Sequence, residues 1–155
     1  MSIYDKILHV NLTKKQHCLV SIQDRILKTS LGGRGFNVAY LFEKIPEKID
    51  PLGPENCLLI SCGLLTGTAA PTSSRLHINA VSPLTGLLGR SNIGGQAGAW
   101  LRSCGLQGII VKGRASTPVY LYIEDGHTEI RDARFLKGLD TIETQKKIKI
   151  VLEKR

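Results

Sequence analysis

The sequence predicts an α+β domain dominated by β-sheet, with short helices, and not a doubly wound parallel sheet. Three observations predict it. The apolar runs are short and rich in Val, Ile and Leu, as strands are. Strand-like and helix-like stretches do not alternate regularly, as the βαβ units of a parallel sheet would require. Asp125-Gly126 separates two strand-like runs and is among the stronger short hairpin signals. With 155 residues, the chain is read as a single domain, 1–155, large enough to hold a core without disulfides or metal.

The elements follow in order. Lys6–Leu12 and His17–Ile22 predict a hairpin around Thr13-Lys14-Lys15-Gln16. Leu31-Gly32-Gly33-Arg34-Gly35 is a glycine-rich turn leading into a helix over Phe36–Ile45. Apolar residues at 36, 39, 40, and then 42 or 45 give that helix one face, and Pro46 ends it. Asp50-Pro51-Leu52-Gly53-Pro54 is a loop. Asn56–Cys62 reads as a buried strand. Arg75–Val81 reads as another, with Leu76, Ile78 and Ala80 on one side and His77, Asn79 and Val81 on the other. A loop runs through Ser82-Pro83-Leu84-Thr85-Gly86. Gly95–Ser103 is a short helix stopped by Gly105, because glycine accepts the left-handed conformation. Ile109–Val111 is a buried strand, and Val119–Glu124 with Thr128–Arg131 forms the second hairpin. Asp140 and Thr141 cap a last helix to about Lys154, with Glu143 placed as in a capping box.

Composition narrows the function classes. The net charge is +8, but lysines and arginines are scattered, with no aromatic-interleaved stripe or named motif. No nucleic-acid partner is predicted. The charge is either a solvated surface or an attraction for anionic ligands or an acidic protein. The start, Met1 to Lys6, has no apolar segment or cleavage site, and runs such as Leu58-Leu59-Ile60 are too short to span a bilayer. The expectation is a cytoplasmic protein without membrane contact. Cys18, Cys57, Cys62 and Cys104 fit no zinc or cluster spacing and read as small buried hydrophobes.

The informative region is Gly63 to Gly95, where small residues dominate. Bare glycine backbone lets a ligand approach closely, and successive free N–H groups make anion-binding nests. A helix opening at Gly95 would add its positive end. Arg75 would supply a planar fork of donors for phosphate, and Asn92 a carbonyl for a hard cation such as Mg²⁺. Composition leaves two readings open, tight structural turns or a ligand cradle, and Arg34 has the same ambiguity. The region is neither a Rossmann fingerprint nor a Walker A loop. His9, His17, His77 and His127 are isolated in sequence and read as structural. No catalytic residue is assigned.

The ordered series Val10-Asn11-Leu12, Gly32-Gly33-Arg34-Gly35, Gly63-x-Leu65-Thr66-Gly67-Thr68, Ala70-Pro71-Thr72-x-x-Arg75, Ser82-Pro83-Leu84-Thr85-Gly86, Asn92-x-Gly94-Gly95 and Pro118-Val119-Tyr120 resembles the N-terminal domain of the aldehyde ferredoxin oxidoreductase family. The resemblance covers nearly the whole chain. It implies a sheet base on which a tungsten or molybdenum bis-pterin cofactor sits. It also implies an enzyme that oxidises aldehydes to carboxylates and passes electrons to ferredoxin. Arg75 would lie between pterin and a 4Fe–4S cluster, Asn92 would use its carbonyl at the Mg²⁺ bridging the pterin phosphates, and Gly94, with Gly95 as an extension, would bring backbone to the pterin. Leu64 departs from the family's usual proline. The family's cluster cysteines and later pterin-gripping segments do not occur in this sequence. The chain is therefore expected to be a fragment, a separately encoded subunit or a remnant. Its expected partners are the remaining catalytic domains or a partner subunit, with ferredoxin, and a homo-oligomer is compatible with it. The competing expectation is a non-catalytic module that binds an anion or cofactor.

Overall fold

In the computed structural model, residues 6–22 and 24–153 are described. The leader reading at Met1–Asp5 and the helix end at Lys154 lie outside the described residues. The first hairpin is β1 (Lys6–Asn11) and β2 (Gln16–Ser21), paired antiparallel from Lys6↔Ser21 to Asn11↔Gln16. A short helix, α1 (Asp24–Ser30), follows and was not expected. Leu31 and Gly32 then take positive φ values of 55° and 69°, which turn the chain into α2 (Gly33–Lys44). Helix α2 starts three residues earlier than expected, so Gly33-Arg34-Gly35 is its first turn. It ends where Ile45 turns extended ahead of Pro46.

The remaining strands are β3 (Cys57–Cys62), β4 (Leu76–Val81) and β5 (Leu88–Ile93), then β6 (Leu106–Lys112) after the short helix α3 (Ala97–Ser103). No strand was expected at β5, where the sequence reading assigned no element. Helix α3 opens two residues after Gly95 and spans a single short stretch. Gly105 takes φ 76° just after it, as a helix stop requires. A separate hairpin of β7 (Val119–Glu124) and β8 (His127–Asp132) turns at Asp125 and Gly126, both with positive φ. Helix α4 (Thr141–Glu153) opens with the Glu143 N–H donating to Asp140 Oδ1 at 2.8 Å.

The main sheet has the order β2-β1-β6-β3-β4-β5. Among the described residues only β1 and β6 pair parallel in this sheet, and its other pairings are antiparallel. The architecture is the expected sheet-dominated α+β. Alternating residues load both faces. Ile7, Leu59 and Ile110 pack with Phe36 and Leu41 of α2 on one face, where Ile26 of α1 joins them. Leu8, Val10, Cys62, Leu76 and Ile109 pack with Leu101 of α3 on the other, backed by Leu121, Ile123 and Ile130 of the second hairpin. No helix among the described residues is long and apolar enough to cross a membrane.

Candidate functional site

The β4–β5 hairpin sets the site. Its turn closes with Gly86 N–H donating to Ser82 O and Ser82 N–H donating to Leu87 O, both at 2.8 Å, with Gly86 at φ 68°. That turn fixes the register, which pairs Leu76 with Ile93, His77 with Asn92 and Asn79 with Arg90. Cross-strand partners share a face. His77, Asn79, Arg90 and Asn92 therefore all lie on the face that α2 covers, while Leu76 lies in the opposite core.

Arg75, immediately before β4, is exposed, as are Asn92, Gly94 and Gly95. Two loops bring them to one corner. Ser74 Oγ donates to Gly95 O at 2.5 Å and ties the loop before Arg75 to the loop after Asn92. The buried Thr66 lies under the first loop, its Oγ1 3.0 Å from Ser73 O and 3.1 Å from Arg75 O. Arg102 of α3 is buried and donates from Nη2 to Gly63 O at 2.8 Å. Gly67, at φ 77°, lets the loop pass close, because a Cβ there would stand 2.9 Å from Arg102 Cβ. Arg75 thus emerges from a braced loop.

A buried polar row fixes α2 over the same corner. Asn37 Nδ2 donates to Asn79 Oδ1 at 2.9 Å and lies 3.2 Å from His77 O. Ser61 Oγ lies 2.7 Å from Asn37 Oδ1 and 2.9 Å from Gly33 O, and Asn79 Nδ2 donates to Gly89 O at 3.1 Å. Asn37, Ser61 and Asn79 are all buried, and the row satisfies their polar atoms. Gly33 sits on His77 so closely that a Cβ would approach the imidazole to 3.0 Å.

Between the first turn of α2 and the two strands lies an open groove of about 350 Å³, lined by Arg34, His77, Asn79, Arg90, Ser91 and Asn92. His77 is held below its usual pKa by partial burial first, then by the charges of Arg34 and Arg75. The larger cavity of about 520 Å³, lined by His9, Lys14, His17, Cys18 and Lys112, lies at the other edge of the sheet.

The donor set fits a polyanionic cofactor. A Cβ built at Gly94 or Gly95 meets nothing within 4 Å, so bare backbone faces open space there. Gly95 has φ 80°, a conformation that favours glycine. Arg75 and Asn92 flank this backbone. For a metal ion, the corner offers neutral oxygen and no carboxylate. Among the described residues no group of three His, Cys, Asp or Glu is placed to hold one. Cys57 and Cys62 are buried as expected, and burial pushes both thiols up, Cys62 to about 11. Cys104 is partly buried, but Cys18 is exposed on the edge strand β2, contrary to the sequence reading.

Sequence reading had singled out Arg75, Asn92, Gly94 and Gly95 and left Arg34 ambiguous. It set His77 aside as structural and did not single out Arg90. Both were within reach of the strand alternation once a turn at 82–86 pairs 77 with 92 and 79 with 90. The short helix expected from Gly95 is α3, which begins at Ala97, and the first turn of α2 borders the groove.

The comparisons agree with this architecture. The family model for the aldehyde ferredoxin oxidoreductase N-terminal domain matches residues 7–155. The chain is 43% identical over 146 residues to the tungsten-containing aldehyde ferredoxin oxidoreductase of Pyrococcus abyssi, covering 94% of this chain and 24% of that protein. It is 38% identical over 144 residues to the WOR-like subunit of an aliphatic sulfonate oxidoreductase of Pyrococcus furiosus, covering 91% of this chain and 23% of that one. In structure it matches the active-site complex BamBC of benzoyl coenzyme A reductase with a TM-score of 0.94 at 39% identity, over 96% of this chain and 23% of the other. The chain thus spans about a quarter of the length of the curated relatives it matches. It belongs to the aldehyde ferredoxin oxidoreductase family, as a match to that family's N-terminal domain.

Proposed function

We propose that residues 1–155 form one domain, the cofactor-cradling part of a tungsten- or molybdenum-pterin oxidoreductase that oxidises aldehydes to carboxylic acids with ferredoxin as electron acceptor. The observation that carries this reading is the corner in which the Ser74–Gly95 hydrogen bond joins Arg75 to the Asn92–Gly95 segment. The printed names of the relatives, tungsten-containing among them, support the cofactor class. Gly94 and Gly95 present backbone to the pterin without side chains in the way. Arg75 would offer its guanidinium to the anionic groups of the cofactor, on the side of the 4Fe–4S cluster of the full assembly. Asn92 would lend its carbonyl to a Mg²⁺ ion bound with the cofactor.

The metal centre supplies the two-electron chemistry: an aldehyde and water become a carboxylic acid, two protons and two electrons. This chain's residues bind and orient, and none is proposed to touch the reacting carbon. The cluster ligands and the remaining pterin contacts belong to domains or a subunit beyond this chain.

The test is aldehyde oxidation with a dye acceptor by the enzyme assembled from this chain and those domains, with its tungsten and molybdenum measured in parallel. Metal-dependent oxidation is the expected result. Bound pterin without oxidation would indicate a cofactor-binding module that lacks the redox step. An assembly without tungsten, molybdenum or pterin would refute the proposal.

A further inference from the structure

We infer that the open groove over strands β2, β1 and β6 binds an apolar monocarboxylate, with the carboxylate held by Lys112, Asn11 and Lys14 and the chain laid past Tyr40 toward α1. The strand register builds the floor. Cys18, His9 and Ile110 form one row of cross-strand partners, and Gln16, Asn11 and Lys112 form the next. Partners share a face, and this is the face on which Ile7 and Ile110 meet Phe36 of α2. No helical residue lines the cavity of about 520 Å³ at the turn end of these rows. A second cavity of about 270 Å³ continues between the strands, α1 and α2, and His9 and Ile110 line both.

The two ends differ in chemistry. The first holds Lys14 and Lys112 and has no carboxylate in its walls. Among the described residues neither lysine forms an ion pair. Lys112 is partly buried, and its Nζ stands 5.9 Å from the centroid of the Tyr40 ring, while the His9 ring lies 6.1 Å from the same ring. The Tyr40 contact keeps the Lys112 ammonium at the junction of the two cavities. Asn11 Oδ1 accepts from Lys14 N–H at 2.9 Å, which orients the amide, and Asn11 Nδ2 forms no hydrogen bond among the described residues and is left to donate. The second cavity has Ile7, Val20, Ile26, Phe36, Tyr40 and Ile110 among its walls, and its charged residues, Glu43 and Lys44, are exposed. Mostly apolar walls with a few placed polar groups are the pattern of small-molecule sites. The positive end matches an anion, and its apolar continuation matches a hydrocarbon chain attached to that anion.

The probe is octanoate, titrated calorimetrically into the full chain below its micellar concentration, with octanol as the uncharged counterpart. Octanoate should bind about tenfold more tightly than octanol, as expected for a charge-assisted hydrogen bond. Lys112→Met keeps an apolar stem beside Tyr40 and removes the charge. It should weaken octanoate about tenfold and leave octanol unchanged. Val20 is 44% exposed on the edge strand, so Val20→Phe fills the apolar end without entering the core and should weaken both ligands. Lys146→Met removes the same charge on α4 and should change neither. Circular dichroism of each variant checks that the fold is kept. In the wild-type chain the His9 ring signals should shift in NMR spectra as octanoate is added. No octanoate binding by the wild-type chain, equal affinity for octanol, or equal weakening by Lys146→Met would overturn the site.

The groove lies at the β2 edge of the sheet and the Arg75–Asn92 corner at its β5 side, so the inference does not depend on the cofactor reading. The assembled enzyme separates a ligand site from a surface that a further domain covers. Octanoate uptake by the assembled enzyme, weakened by Lys112→Met, supports the ligand site. Uptake by the free chain that disappears on assembly would show that a further domain fills the groove, and would overturn the inference.

Discussion

At the scale of single residues, the site depends on a few buried polar groups more than on the exposed ones that face the ligand. Asn37 is the clearest case: its amide joins α2 to β4 and, through Ser61, to β3. Asn37→Ala would leave Asn79 Oδ1 without its donor in the interior, while Ser61 Oγ keeps Gly33 O, at a cost of roughly 1–3 kcal/mol. Chemical denaturation of the variant checks this, and a loss under about 0.5 kcal/mol, the range of neutral surface changes, would contradict it. His9 and His77 give a second prediction. Both are held below their ordinary pKa of 6.5, chiefly by burial. The unfolded chain takes up protons near 6.5, where the folded chain resists them. Stability is therefore full above that pH and falls as pH drops below it. Replacing both histidines with Gln should flatten the decline of the denaturation midpoint between pH 7.5 and about 5.5. An unchanged slope would show that other groups govern it. In the sequence, Arg75 and Asn92 were legible through their motifs. Asn37 was not, because an asparagine within a helical stretch gives no sign that it is fully buried.

At the scale of elements, the strands with apolar faces could be read and those without could not. Strands β3 and β6 are rich in apolar residues and were found. Strand β5 reads Leu-Gly-Arg-Ser-Asn-Ile and is mostly exposed at the sheet edge, so it carries no burial signal. Its pairing with β4, not its own propensity, makes it a strand. That gap hid Arg90. The terminal helix was legible from its cap, as the Asp140–Glu143 bond bears out. The sheet also contains a position with no room for a side chain. Gly108 in β6 lies against the Ile60 carbonyl, and a Cβ there would collide with that oxygen and stand 2.9 Å from Ser61 Cβ. Gly108→Ala should push β6 away from β3 and cost about 3 kcal/mol, the upper range for overpacking. Thermal unfolding reads this, and a melting temperature equal to wild type would show that the two strands part freely.

At the scale of the whole molecule, the chain presents apolar surface around the very corner assigned to the cofactor. Leu65 is 62% exposed on the loop before Arg75, and Trp100 is 64% exposed on α3. Leu64 and Ile93 nearby in sequence are also exposed. The relatives are about four times as long, and the proposal assigns this surface to their further domains. The isolated chain should therefore self-associate, and light scattering should show a concentration-dependent mass. A strictly monomeric species would argue against an uncovered interface. The overall architecture was legible because short strands without regular helical crossovers exclude a doubly wound sheet. The order of strands was not, since it depends on the parallel β1–β6 pairing between segments far apart in sequence.

The most direct measurement is the pterin and metal content of the assembled enzyme, compared between wild type and Gly94→Ala. A Cβ at Gly94 meets no atom of this chain and its φ needs no glycine, so the variant should fold with an unchanged melting temperature. The added methyl group would intrude only on whatever lies against that backbone. The account predicts tungsten or molybdenum with bis-pterin in the wild-type enzyme and a marked loss of both in Gly94→Ala. Equal cofactor content in the two proteins would contradict it.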